Sequence, residues 1–153
     1  MEKINIFCFG FGQVAKSFIK KINSKNIEIV LTVTSRENTS KKVFDGISYE
    51  SFQFSQNSFD KNLIKSLEAS NYILVSIAPI DGEDIVIKNF QNIFKEKKVK
   101  WLTYLSATSV YGDHKGEWVD EKSTTKPTSP TGTQRLKAEK SWMELAENLI
   151  LPL

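Results

Sequence analysis

Apolar and polar positions follow two rhythms along this chain. Residues 3–9 (Lys-Ile-Asn-Ile-Phe-Cys-Phe) become continuously apolar, the pattern of a strand covered on both faces. Val14, Phe18, Ile19 and Ile22 then recur at helical spacing, and a polar stretch at 23–26 closes that helix. Residues 27–33 are β-branched and apolar, a second strand at a distance that suits a βαβ crossover. Residues 38–46 read as a polar segment ending in an Asp45-Gly46 turn, and 47–52 alternate as a short strand. A short helix over 60–67 precedes 72–77, the most strand-like run, which stops at Ala78-Pro79. Asp81 is the expected N-cap of a helix over 82–97, with Glu83 and Asp84 in its first turn and Ile87, Phe90 and Phe94 as its core stripe. Residues 100–106 read as a strand and 107–128 as a long polar loop. Ser129-Pro130 then supplies the N-cap and first position of a helix to about Asn148, and 149–153 read as the opening of a sixth strand.

This alternation predicts an α/β fold: a doubly wound parallel sheet with helices on both faces, in three layers, forming one domain over 1–153. Composition narrows the function. Basic and acidic residues, 21 and 18, are mixed along the chain, so no nucleic-acid partner is expected. One cysteine, Cys8, and one histidine, His114, leave no internal disulfide and no multi-cysteine metal site. Cys8 reads as a buried thiol, and His114 as a titratable loop residue. The chain runs straight into its first strand, and no apolar run approaches about 18 residues. A cytoplasmic location without a membrane partner is expected.

The candidate chemistry begins where the first strand ends. Gly10-Phe11-Gly12-Gln13-Val14-Ala15 is a G-x-G turn with a small residue three places on, between a strand and a helix. Gly10 permits the tight turn, Gly12 lets the backbone approach a pyrophosphate, and Ala15 keeps the helix close to the sheet. With Phe11, Gln13 and Val14 they present a helix N-terminus to phosphate. The second strand ends in Ser35-Arg36-Glu37, where an adenosine ribose is read in this architecture. The Arg36 fork suits the 2′-phosphate of NADP, the preferred cofactor; if Arg36 is instead a solvated loop cation, Glu37 serves the 2′-hydroxyl of NAD. Ser76, Ile77, Ala78 and Pro79, at the end of the 72–77 strand, should line the same cleft.

The run Tyr104-Leu-Ser-Ala-Thr-Ser-Val-Tyr-Gly-Asp113, then Gly116-Glu-Trp-Val-Asp-Glu121 and Arg135-Leu-Lys-Ala-Glu139, together with the glycine turn, resembles the extended short-chain dehydrogenase/reductases. The branch it is most similar to is that of the atypical NAD-dependent epimerases and dehydratases. The resemblance covers essentially the whole chain and implies a Rossmann domain. It also implies a Ser or Thr that orients substrate, a Tyr general acid/base and a Lys that holds the nicotinamide ribose. Aligned on this chain, those positions carry Ala107, Thr131 and Arg135. Thr108 or Ser109 is placed to supply the missing hydroxyl, and Tyr111 to act as a substitute acid. Members continue into a C-terminal substrate part, expected to be absent here, whose substrate would be a nucleotide-sugar or similar polar molecule. The functional alternatives are an oxidoreductase relative that binds NADP or NAD, a non-catalytic dinucleotide or sensor module with a homodimer through its outer helices, and a scaffold whose glycine turn is only structural.

Overall fold

The computed structural model describes residues 3–149. Its elements run β1 (Lys3–Phe9), α1 (Gln13–Asn23), β2 (Glu28–Ser35), β3 (Ser40–Phe44), β4 (Ile47–Gln53), α2 (Leu63–Ala69), β5 (Tyr72–Val75), α3 (Ile85–Glu96), β6 (Trp101–Tyr104) and α4 (Pro130–Leu149). A 3₁₀ turn, Thr108–Val110, follows β6. The expected strand over 149–153 falls largely outside the described residues, and α4 itself continues through Leu149.

The six strands form one sheet in the order β3-β4-β2-β1-β5-β6. β1 pairs in parallel with β2 and β5, β2 with β4, and β5 with β6. The chain therefore winds outward from β1 in one direction and then returns to wind in the other. The crevice between the ends of β1 and β5 is the topological switch point, where such sheets bind ligands.

The expected doubly wound sheet is present, with one correction: the polar segment over 38–46 holds a strand. The sheet is not wholly parallel, because β3 folds back antiparallel on β4 at its edge, pairing Lys42 with Tyr49 and Phe44 with Ile47. Asp45 (φ 51°) and Gly46 (φ 79°) both adopt positive φ at the connection. That is the two-residue turn whose twist matches flanking antiparallel strands. Residues 40–44 pass for a polar loop in sequence because an edge strand with two lysines carries little apolar signal.

Alternation along β1 decides the two cores. Phe7 and Phe9 face one side with Ile73 and Val75, against Leu67 of α2, Phe90 and Phe94 of α3 and Trp142 of α4. Ile6 and Cys8 face the other with Leu31 and Val33, against Ala15 and Ile19 of α1. Each fully buried large side chain here contributes about 1.5–3 kcal/mol of transfer free energy. The Cys8 thiol is buried and pushed up to about 12 by loss of hydration, so it stays protonated and inert at neutral pH.

A second correction concerns the start of α3. The N-cap is Asp84, not Asp81: its Oδ1 accepts from the backbone N–H groups of Val86 (2.9 Å) and Ile87 (3.0 Å). Asp81 and Gly82 instead make a positive-φ turn closed by two backbone bonds between Ile80 and Glu83. The other Asp84 oxygen accepts from Trp142 Nε1 at 2.8 Å, which ties α3 to α4. Burial pushes the Asp84 carboxyl above its ordinary value, against the pull of these donors. At α4 the expected cap holds, with Ser129 Oγ accepting from the Gly132 N–H at 3.1 Å.

Candidate dinucleotide site

The glycine turn sits at the C-terminal end of β1, in the switch-point crevice. Gly10 has φ +84°, and a Cβ there would lie 2.8 Å from Ser76 Oγ, so both conformation and space call for glycine. Its N–H donates to the buried Thr34 Oγ1 at 2.9 Å, which pins the turn to β2. Ser76 donates from both its N–H and its hydroxyl to Phe9 O, pinning the turn to β5.

Gly12 differs. Its backbone is ordinary (φ −79°), and a Cβ there would meet nothing within 4 Å. The space above it is open, as a group approaching the backbone requires. Gly12 O receives the first helical bond, from the Lys16 N–H, and α1 has no side-chain cap. The N–H groups of Gln13, Val14 and Ala15 thus have no partner within the helix. No acidic residue occupies that turn. An anion is favoured there by both the donors and the helix dipole.

A cavity of about 880 Å³ opens from this turn along the ends of β2 and β4. Of the residues expected at the site, Gly10, Phe11, Ser35, Arg36, Ile77 and Ala78 line it together. Gly12, Gln13 and Val14, exposed at the start of α1, and Ser76 and Pro79 are not among the residues that line it; Ser76 is instead bonded to Phe9 O. Arg36 is exposed and makes no hydrogen bond or ion pair among the described residues, so its five donors face solvent and cavity. Neighbouring Glu37 also lines the wall and accepts from Lys42 Nζ. That bond holds the Glu37 carboxyl below, and the Lys42 ammonium above, their ordinary values. Lys16 places its ammonium 5.8 Å from the Phe11 ring centre and 5.9 Å from that of Phe44.

Lys16, Lys42 and Tyr49 are lining residues that the sequence reading did not single out. The signal that finds two of them is Asp45-Gly46 between apolar neighbours, which marks a hairpin and so brings Lys42 opposite Tyr49.

The residues aligned with the family's catalytic positions gather elsewhere, where α4 meets the 3₁₀ turn. Thr108 and Ser109 lie on that turn, Tyr111 follows it, and Thr131 and Arg135 sit on the first turns of α4. Gly132 allows the approach: a Cβ there would lie 2.4 Å from Ser109 O. Thr131 is exposed, with its Oγ1 3.2 Å from Ser129 Oγ. Arg135 Nη1 donates to Leu105 O (2.7 Å) and to the Tyr104 hydroxyl (3.3 Å), its guanidinium 5.9 Å from that ring. Burial pushes the Tyr104 phenol above its ordinary value in spite of Arg135. The loop beyond is closed at its base by Lys126 N–H to Tyr111 O (3.2 Å) and by a contact of His114 Nε2 with Thr124 O (3.1 Å). At its far end Trp118 is fully exposed. Among the described residues, no group of three or more His, Cys, Asp or Glu is placed to hold a metal, and no helix is long and apolar enough to cross a membrane.

No protein-family model matches the chain, and no curated protein matches it in sequence. Solved structures do. A functionally unknown conserved protein from Silicibacter pomeroyi DSS is 27% identical, with a TM-score of 0.73 over 96% of this chain and 50% of its own. UDP-glucuronic acid 4-epimerase from Bacillus cereus, in complex with NAD, is 18% identical, with a TM-score of 0.73 over 97% of this chain and 53% of its own. dTDP-glucose 4,6-dehydratase from Bacillus anthracis, also in complex with NAD, is 16% identical, with a TM-score of 0.71 over 97% and 52%. The chain thus spans about half the length of the structures it matches. With its switch-point crevice and glycine turn, it carries the Rossmann fold of these epimerases and dehydratases.

Proposed function

We propose that this chain is the dinucleotide-binding domain of an epimerase/dehydratase-like oxidoreductase relative, and that it binds NADP in preference to NAD. The observation that carries the reading is the joining of two features. The uncapped N-terminus of α1, fed by Gly10 and an open Gly12, meets a cavity whose wall carries Arg36, unpaired among the described residues. The pyrophosphate would rest on the N–H groups of Gln13, Val14 and Ala15, and the adenosine 2′-phosphate on Arg36. Ile77 and Ala78 would flank the cofactor beyond the end of β5. A bound nicotinamide supplies hydride chemistry; the chain's own part is to bind, orient and exclude water. Two of the similar structures are complexes with NAD, which favours a nicotinamide dinucleotide in general terms. A nucleotide-sugar partner is the corresponding proposal for a longer form, and a cytoplasmic location goes with it.

A specific observation favours a second reading, a module that binds the dinucleotide without acting on it. Arg135 spends donors on Leu105 O and Tyr104, and the hydroxyl of Thr131 meets that of Ser129. An alkyl hydroxyl without a base is a poor acid/base at neutral pH.

Titration with NADPH and NADH, followed by nicotinamide fluorescence, tests the shared claim: saturable binding is expected, tighter for NADPH. Binding of neither would remove both readings. Hydride transfer to or from a sugar nucleotide that falls in a Thr131→Ala, Tyr111→Phe double variant would select the catalytic one, whereas binding without turnover would select the module.

A further inference from the structure

Lys42 reaches the cavity only because β3 exists. The Asp45-Gly46 turn folds that strand back on β4, sets Lys42 across from Tyr49, and brings the pair to the wall that Ser35, Arg36 and Glu37 also line. Lys42 Nζ donates there to Glu37 Oε2, with 37% of the lysine and 71% of the glutamate side chain exposed. We infer that Lys42 is the second cation for an adenosine 2′-phosphate, and that its ion pair with Glu37 sets the balance between the two dinucleotides. This rests on the reading of the cavity as a dinucleotide site.

The chemistry follows from what each ligand presents beside the pair. A ribose 2′-hydroxyl is neutral and donates one hydrogen bond. Glu37 can accept it while Lys42 remains its counter-ion, so the pair stays intact. A 2′-phosphate brings up to two negative charges and only acceptor oxygens once ionised. It repels Glu37 and competes for Lys42. An ion pair this exposed is weak, and a lysine ammonium on its flexible stem can turn from the carboxylate to the phosphate. Arg36, which has no hydrogen-bond or ion-pair partner among the described residues, takes a second face of the phosphate through its fork. Glu37, released, lies mostly in solvent. Glu37 therefore favours NAD twice over, by accepting the hydroxyl and by retaining the lysine.

The test uses the full chain, with NADPH and NADH titrated separately by calorimetry against wild type and four variants. Lys42→Met should weaken NADPH about tenfold, the loss of one charge-assisted hydrogen bond, and leave NADH within about twofold. Lys42→Arg should restore most of the NADPH affinity. Glu37→Gln, which frees Lys42, should tighten NADPH and weaken NADH. Lys41→Met, the neighbouring residue on the same strand and absent from the cavity wall, controls for loss of general positive charge and should change neither. Circular dichroism checks folding, and if Lys42→Met does not fold, Glu37→Gln carries the test alone. Equal effects of Lys42→Met and Lys41→Met, or equal weakening of both dinucleotides by Lys42→Met, would overturn the assignment while leaving the site itself standing. Failure of wild type to bind either dinucleotide would overturn both.

Discussion

Replacing Gly12 by alanine should separate binding from stability. The added Cβ meets nothing within 4 Å, and φ at −79° suits any L-residue, so no strain or clash opposes the change. Alanine is a poorer N-cap than glycine, at a cost of about 0.5 kcal/mol, and this is offset by a similar reduction in unfolded-chain entropy. Net stability should therefore stay within about 0.5 kcal/mol of wild type. The methyl group does occupy the open space through which a pyrophosphate would approach the N–H groups of Gln13 and Val14. Pushing the phosphate out of hydrogen-bond range of one or two donors should weaken NADPH and NADH alike by about 10- to 100-fold, or 1.4–2.8 kcal/mol. Gly10→Ala is the contrast. Its Cβ would sit 2.8 Å from Ser76 Oγ with the backbone at φ +84°. The left-handed strain alone costs about 1–2 kcal/mol, and displacing Ser76 from Phe9 O adds to it. Thermal unfolding and dinucleotide titration on both variants check the reasoning. A Gly12→Ala protein that binds as well as wild type, or that unfolds more than about 1 kcal/mol more easily, would refute it.

Other outcomes follow from the same geometry. Arg36→Ala should weaken NADPH more than NADH in parallel titrations, and equal losses would remove Arg36 from the 2′-phosphate. Asp84→Ala removes a helix cap and leaves the Trp142 indole N–H unpaired, so it should cost about 2–4 kcal/mol, seen as a fall in Tm of roughly 5–12 °C; Asp84→Asn, which can still cap, should lose less. Lys97, half-buried, donates to Leu67 O at 2.5 Å and to Ser70 O, and burial lowers its ammonium to about 8. The unfolded chain, with the lysine near its ordinary value of 10.5, therefore binds more protons above pH 8, and stability from this residue should rise with pH from about 8 towards 10.5. The Cys8 thiol works oppositely, its raised value costing stability above about 9. Comparing wild type with Lys97→Met in urea at pH 7.5 and 9 cancels Cys8, and a wild type that gains no stability relative to the variant between those pH values would contradict the assignment.

Local chemistry was enough to reveal much of this molecule. The run from Ile6 to Phe9 is apolar at every position, and a strand like that needs cover on both faces, which by itself calls for an α/β sheet. Gly10 and Gly12 announce the turn because the backbone there must reach positive φ and then stay bare, and a residue's own side chain decides both. Ser129-Pro130 marks the start of α4 for the same reason: capping is settled within four residues. What lay beyond the sequence depended on pairings between distant segments. Asp84 and Asp81 are equally good caps in isolation, and the choice fell to Asp84 because Trp142, 58 positions away, supplies a second partner for its carboxylate. β3 is too polar to declare itself, and it becomes a strand only by closing on β4, which carries Lys42 into the cavity. Arg135 keeps a positive charge at its aligned position, but only packing of α4 on the end of β6 turned that charge toward Leu105 O and Tyr104. Short-range rules of backbone conformation made the phosphate-facing turn legible. The direction in which each long charged side chain points is set by non-local contacts, and it took the tertiary structure to decide it.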